Sequence, residues 1–100
     1  MVGSFCLVLH GHLPWVAHHG RWPHGEDWLY EAAAETWLPL LEVLDTARDE
    51  GLRVGWTVGM MPILLEQLRH PTFRQGFVRY LEEARDQAEK DENDFNAWGN

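Results

Sequence analysis

The side chains with chemistry to offer crowd into one stretch of this sequence, His10 to Gly25, which reads HGHLPWVAHHGRWPHG. It holds five of the six histidines, at positions 10, 12, 18, 19 and 24, together with Trp15 and Trp22. Histidines aside, its one charged residue is Arg21. His10 and His12 are two apart, so in an extended chain both imidazoles face the same way. Three uses suit such a pair. Imidazole is a common zinc ligand. Neutral imidazole also offers one donor and one acceptor, which matches the hydroxyls of an uncharged ligand such as a sugar. The third use is structural, two hydrogen-bonded histidines fixing a loop. His18, His19 and His24 read as loop or surface histidines. Trp28 follows closely, and Trp15, Trp22 and Trp28 interleave with the histidines. Sugars stack their C–H faces on aromatics and take hydrogen bonds at their edges, so this mixture favours a carbohydrate. Core packing is the plain alternative for any one of these indoles.

Composition narrows the possibilities. With 16 carboxylates against 8 Lys and Arg, the formal net charge is −8. Nucleic acid and anionic membrane both require a basic patch, and the sequence has none. No run of about 18 apolar residues suggests a membrane span. The single cysteine, Cys6, cannot form an internal disulfide, which points to a reduced, cytoplasmic setting. Seven acids between Glu82 and Asp94 mark an acidic end, expected to be a solvated helix face. Six tryptophans are too many for a core this small, leaving aromatic surface for a ligand or for other protein.

The elements that must position the loop follow from local patterns. Phe5 to Leu9 (FCLVL) is a continuous apolar run, as in a parallel strand buried on both faces. A helix is predicted from Asp27, with acids in its first turns. Pro39 predicts a break or kink around Glu35 to Leu38, then a second helix stopped by Gly51. Leu52 to Val58 predicts a second strand, and Pro62 the first position of a short helix to about Arg69. Thr72 to Gln75 matches a capping box opening an amphipathic helix to about Asp91. The tail from Glu92 carries no clear signal. Strand, helix, strand, helix is a βαβα order with parallel strands. Two such strands do not stand alone in water, so residues 1–100 are expected to be the first part of a larger barrel or sheet. The loop would then lie at the C-terminal ends of the strands, where ligands bind in such folds. A small domain complete in itself, without enzymatic activity, is the contrasting expectation.

The segments FCLVLHGHLPWV, HGRWPHGEDWLYEAAAETWLPLLEVL and GWTVGMMPILLEQL resemble the N-terminal region of glycoside hydrolase family 57, over residues 4 to about 81. Within the family the pattern is most similar to that of the prokaryotic 1,4-α-glucan branching enzymes. The resemblance implies a seven-stranded (β/α) barrel, of which residues 1–100 form the N-terminal part of a single catalytic domain, with an acidic helical end at 72–100. It implies cleavage of α-1,4-glucan (amylose, glycogen) with retention and transfer of the cut segment to form an α-1,6 branch, without metal or organic cofactor. α-Amylase and 4-α-glucanotransferase are the near alternatives. Retaining chemistry needs two carboxyl groups. The family's Glu and Asp lie beyond residue 100, so this segment alone is expected to be inactive. His10, His12, Trp22 and Trp28 carry over as substrate-binding residues, and the partners implied are the glucan and the rest of the barrel. An amidohydrolase-type barrel, with zinc on the H-x-H pair, is the alternative from another class. Trp15 and Trp37 stand where the family usually has Tyr, and His24 where an aromatic is common. Met61 occupies a position where Ser or Thr would cap the helix, a difference of about 1 kcal/mol.

Overall fold

The computed structural model describes residues 2–99. It contains two compact units, one ending at Arg69 and the other beginning at His70. The first unit runs through β1 (Val8–Gly11), α1 (Glu26–Ala32), a π-helical stretch (Ala33–Trp37), α2 (Leu38–Asp49), β2 (Thr57–Met60) and α3 (Pro62–Arg69). β1 and β2 are parallel neighbours, with His10 opposite Gly59 and Gly11 opposite Met60. The βαβ order is therefore the observed one.

Both strands begin later than their apolar runs. β1 starts at Val8 rather than Phe5 and extends to Gly11, which puts His10 inside the strand. β2 starts at Thr57 rather than Leu52 and runs past Val58 to Met60. Pairing sets these limits: the Thr57 N–H donates to Leu7 O at 3.0 Å, and the residues before it run unpaired into the helix cap. Composition marks what can be buried, but a ladder needs a partner at each rung. The expected burial on both faces is also absent from this chain, since Phe5 is 88% exposed and Val8 68%.

The break or kink expected around Glu35 to Leu38 takes the form of the π-helical stretch Ala33–Trp37 on an otherwise continuous helical path, with Pro39 in the first turn of α2. Leu38 donates to the carbonyl of Ala33, five residues back. In a regular α-helix the Pro39 ring would collide with the carbonyl of Glu35 and leave it without a donor. A π-type turn widens the path at that point and accommodates both defects. Gly51 ends α2 as predicted, with φ of 77°. The Gly51 N–H bonds to Arg48 O at 3.0 Å and the Leu52 N–H to Ala47 O at 2.9 Å, the paired bonds of a Schellman cap.

The core of this unit includes Leu13, Val16, Ala17, Leu29 and Leu64, the last fully buried on α3. A β-carbon on Gly11 would sit 3.3 Å from Leu64 Cδ2 and closer still to Met60 Sδ, so glycine at position 11 eases the packing of α3 and the Met60 side chain against β1. Gln67, one helical turn after Leu64, is 1% exposed. Its Oε1 accepts from Val16 N at 2.8 Å and Ala17 N at 3.2 Å, and its Nε2 donates to Pro14 O at 2.9 Å. One side chain thus satisfies three backbone groups of the loop. None of the six tryptophans is buried; Trp37 and Trp56 are half-buried and the others exposed.

The second unit is one helix, α4 (Pro71–Trp98). Two expectations change here. The cap is His70, whose Nδ1 accepts from Thr72 N at 3.3 Å, rather than a Thr72–Gln75 box. The Thr72 hydroxyl sits 2.8 Å from the same nitrogen, so it is engaged with the cap. The helix also continues past Asp91 to Trp98, because no Pro or Gly lies between Asp91 and Gly99 and extending a formed helix is cheap. Phe73 and Phe77 stack at 5.4 Å on one face, and the acids from Glu82 to Asp94 are exposed as expected.

Replacing Gln67 with Leu keeps the bulk and removes all three loop bonds. Two buried N–H groups left without acceptors should cost about 2–5 kcal/mol. Hydrogen exchange in the full-length protein should show lost protection at Val16 and Ala17; unchanged exchange there would refute the role given to Gln67.

Candidate functional site at the ends of the parallel strands

The loop from His12 to Gly25 leaves the C-terminal end of β1, and Met61 leaves that of β2. His10 and His12 do face the same way: their rings stack with centroids 5.9 Å apart and planes 21° from parallel. Gly59, across the ladder from His10, makes room for that imidazole, because a β-carbon there would lie 3.3 Å from His10 Nδ1. His12 Nδ1 meets Met61 Sδ at 2.9 Å. Both histidines remain exposed. Among the described residues, no group of three or more His, Cys, Asp or Glu is gathered as a metal ion would require.

The second half of the loop is folded back on the start of α1. Glu26 N donates to Gly20 O at 2.8 Å and Asp27 N to Arg21 O at 3.1 Å. The Glu26 carboxylate accepts from His18 N at 3.1 Å, holding His18 at its positive φ of 65°. Arg21 Nε donates to Asp27 Oδ1 at 3.0 Å, in a half-exposed ion pair. Such pairs contribute at most about 1 kcal/mol, so the pair orients the turn more than it stabilises it. A β-carbon on Gly25 would drive into the Gly20 carbonyl, and the closure therefore depends on glycine at 25.

This closure presents the indoles. Trp22, Pro23, His24, Asp27, Trp28 and Glu31 line an open hollow of about 220 Å³. Trp22 is 83% exposed and Trp28 39%. The His24 ring tilts against Trp28 at a centroid distance of 5.6 Å, so His24 is a member of this hollow and not only a loop histidine. The four substrate-binding candidates thus form two groups: His10 with His12 at the strand end, and Trp22 with Trp28 around the hollow. Their chemistry is that of a neutral polar ligand, with donors and acceptors in one group and flat apolar faces in the other.

Sequence reasoning missed Gln67, Gly25 and the contact of Met61 with His12. Gln67 and Met61 act across about fifty residues, a distance over which no local pattern carries a signal. Gly25 was legible only as the last residue before a helix.

Comparison with known proteins matches this arrangement. No family model matches the chain. A Mycobacterium tuberculosis (strain H37Rv) protein designated "probable 1,4-alpha-glucan branching enzyme" is 51% identical over 79 residues, covering 79% of this chain and 15% of that protein. The 1,4-alpha-glucan branching enzyme of Thermococcus kodakarensis is 42% identical over 82 residues, 82% of this chain and 12% of its own length. The crystal structure of a GH57-type branching enzyme from Pyrococcus horikoshii superposes with a TM-score of 0.84 at 40% identity, covering 86% of this chain and 16% of that one. A GH57 branching enzyme from Thermococcus kodakaraensis, solved with glucose and additives, gives 0.83 at 40% identity and the same coverage. By sequence and by fold, this α/β chain is a homologue of glycoside hydrolase family 57 proteins. Within that family its counterpart is the N-terminal segment of the branching enzymes, and it spans about 15% or less of the length of the curated relatives it matches.

Replacing Gly25 with Ala should open the loop by forcing Gly20 away, a clash worth about 1–3 kcal/mol. Faster tryptic cleavage after Arg21, with at most a few degrees lost in the melting temperature, is the expected outcome. Identical cleavage rates would show that the closure does not depend on position 25.

Proposed function

We propose that the protein to which this segment belongs is a retaining 1,4-α-glucan branching enzyme, which cleaves an α-1,4 bond and transfers the segment to a 6-hydroxyl. The 51% identity to a designated branching enzyme over 79 residues carries this reading. In it, β1 and β2 are adjacent strands of a seven-stranded (β/α) barrel, and further strands cover the exposed faces around Phe5 and Val8. His10 and His12 hydrogen-bond a glucosyl unit, while Trp22 and Trp28 form apolar walls of the glucan groove. The exposure of all four supports these roles.

The two carboxyl groups that retention demands, a nucleophile and an acid/base, are assigned to a Glu and an Asp outside residues 1–100. The segment's part is then to orient the chain, which matters because a misplacement of about 1 Å can cost a hundredfold in rate. A reduced, cytoplasmic setting goes with this reading and with the single exposed cysteine, Cys6.

In the full-length protein, His10→Ala and Trp22→Ala should each lower kcat/KM on amylose by about tenfold or more, the equivalent of one lost bond or stacking contact, without lowering the melting temperature. Linkage analysis of the products distinguishes the activities. New α-1,6 bonds are expected, whereas only shortened or only re-spliced α-1,4 chains would replace this reading with hydrolysis or 4-α-glucanotransfer. Residues 1–100 alone should be inactive.

A further inference from the structure

We propose that Met61 is a positioning residue that fixes the tautomer of His12, leaving Nε2 as the hydrogen-bond acceptor offered to a sugar hydroxyl; the hydroxyl partner rests on the α-glucan reading above. Met61 Sδ and His12 Nδ1 are 2.9 Å apart. A thioether has lone pairs and no hydrogen to give. Two lone pairs at this separation repel, so the contact is attractive only with the proton on Nδ1. Neutral imidazole has one donor and one acceptor. With the proton directed to sulfur, the remaining nitrogen carries the lone pair, and the exposed His12 is free to present it to a ligand.

The sulfur is held in place by more than this contact. The Met61 N–H donates to Gly11 O at 3.2 Å, on the residue next to His12. The Met61 carbonyl accepts from Leu65 N at 3.0 Å, in the first turn of α3. Both backbone groups of Met61 are therefore anchored, one to β1 and one to the helix. Stacking on His10 fixes the plane of the His12 ring from its own strand. A Ser or Thr at position 61 would have too short a side chain to replace the thioether at the end of its reach. The methionine thus supplies the His12 site with an acceptor where a helix-capping residue would supply one to the helix.

Histidine-labelled full-length protein tests this by nitrogen NMR, with the His12 signals identified by their absence from His12→Asn. Wild-type protein should carry the His12 proton on Nδ1. Met61→Leu, which keeps bulk without a lone pair, should lose that preference and lower kcat/KM on amylose by about fivefold to tenfold. Met61→Gln offers a carbonyl oxygen at similar reach, and should keep the Nδ1 proton and most of the activity. Activity ordered the other way, with Leu above Gln, identifies a packing role and overturns the proposal. An Nε2-protonated His12 in the wild type overturns it without any variant, so failure of either variant to fold leaves the test intact. If the wild type forms no α-1,6 bonds from amylose, the glucan reading fails, while the tautomer measurement still decides the role of Met61.

Discussion

Three hydrogen bonds from one buried amide hold this structure's loop to its scaffold. Gln67 reaches from α3 to Pro14, Val16 and Ala17, and it does so where water has been excluded. A loop that long carries many backbone groups, and burying any of them without partners would cost more than most side-chain contacts return. Gln suits the task because its amide both donates and accepts, which neither a carboxylate nor an ammonium does. The apolar residues on either side, Leu13, Val16 and Leu64, are buried only because the backbone between them is satisfied. The loop beyond Ala17 is held separately, by its bonds to Glu26 and Asp27 at the start of α1.

A second constraint acts through glycine. Gly11, Gly25 and Gly59 each stand where a side chain would meet a neighbour: Leu64 and Met60 at the first, the Gly20 carbonyl at the second, the His10 ring at the third. None of the three has the positive φ that usually explains glycine. Their shared role is close approach, of helix to strand, of loop to loop, and of backbone to imidazole. The glycines with positive φ, Gly20 and Gly51, serve chain reversal instead.

The electrostatics divide the chain. Seven of the 16 acids lie on the exposed stretch of α4 between Glu82 and Asp94, whereas the loop from His10 to Gly25 offers imidazoles and indoles, with its one guanidinium, that of Arg21, paired with Asp27. Within residues 10–25 there is no fixed negative charge. That suits a ligand recognised by shape and hydroxyl geometry, and it fits the kinship with branching enzymes. Aromatic faces in such a surface contribute area at little entropic cost, since an indole has only two rotatable bonds.

Sequence alone was sufficient for the order of elements, the parallel pairing, the helix stop at Gly51, the start at Pro62 and the concentration of chemistry in one loop. These depend on neighbours within a few residues: a proline without an N–H, a glycine free to reverse, an alternation that sends His10 and His12 the same way. The family kinship was legible for a similar reason, since the motif around His10–Glu35 is contiguous. Tertiary structure decided the rest. Where β1 and β2 begin depends on which residues find a partner rung. Whether Pro39 breaks or widens a helix depends on Leu38 reaching Ala33. Which histidine caps α4, which joins Trp28 and which meets a sulfur atom depends on chain segments brought together by folding. Side-chain type sets what a residue can bond to; only the fold sets what lies within reach.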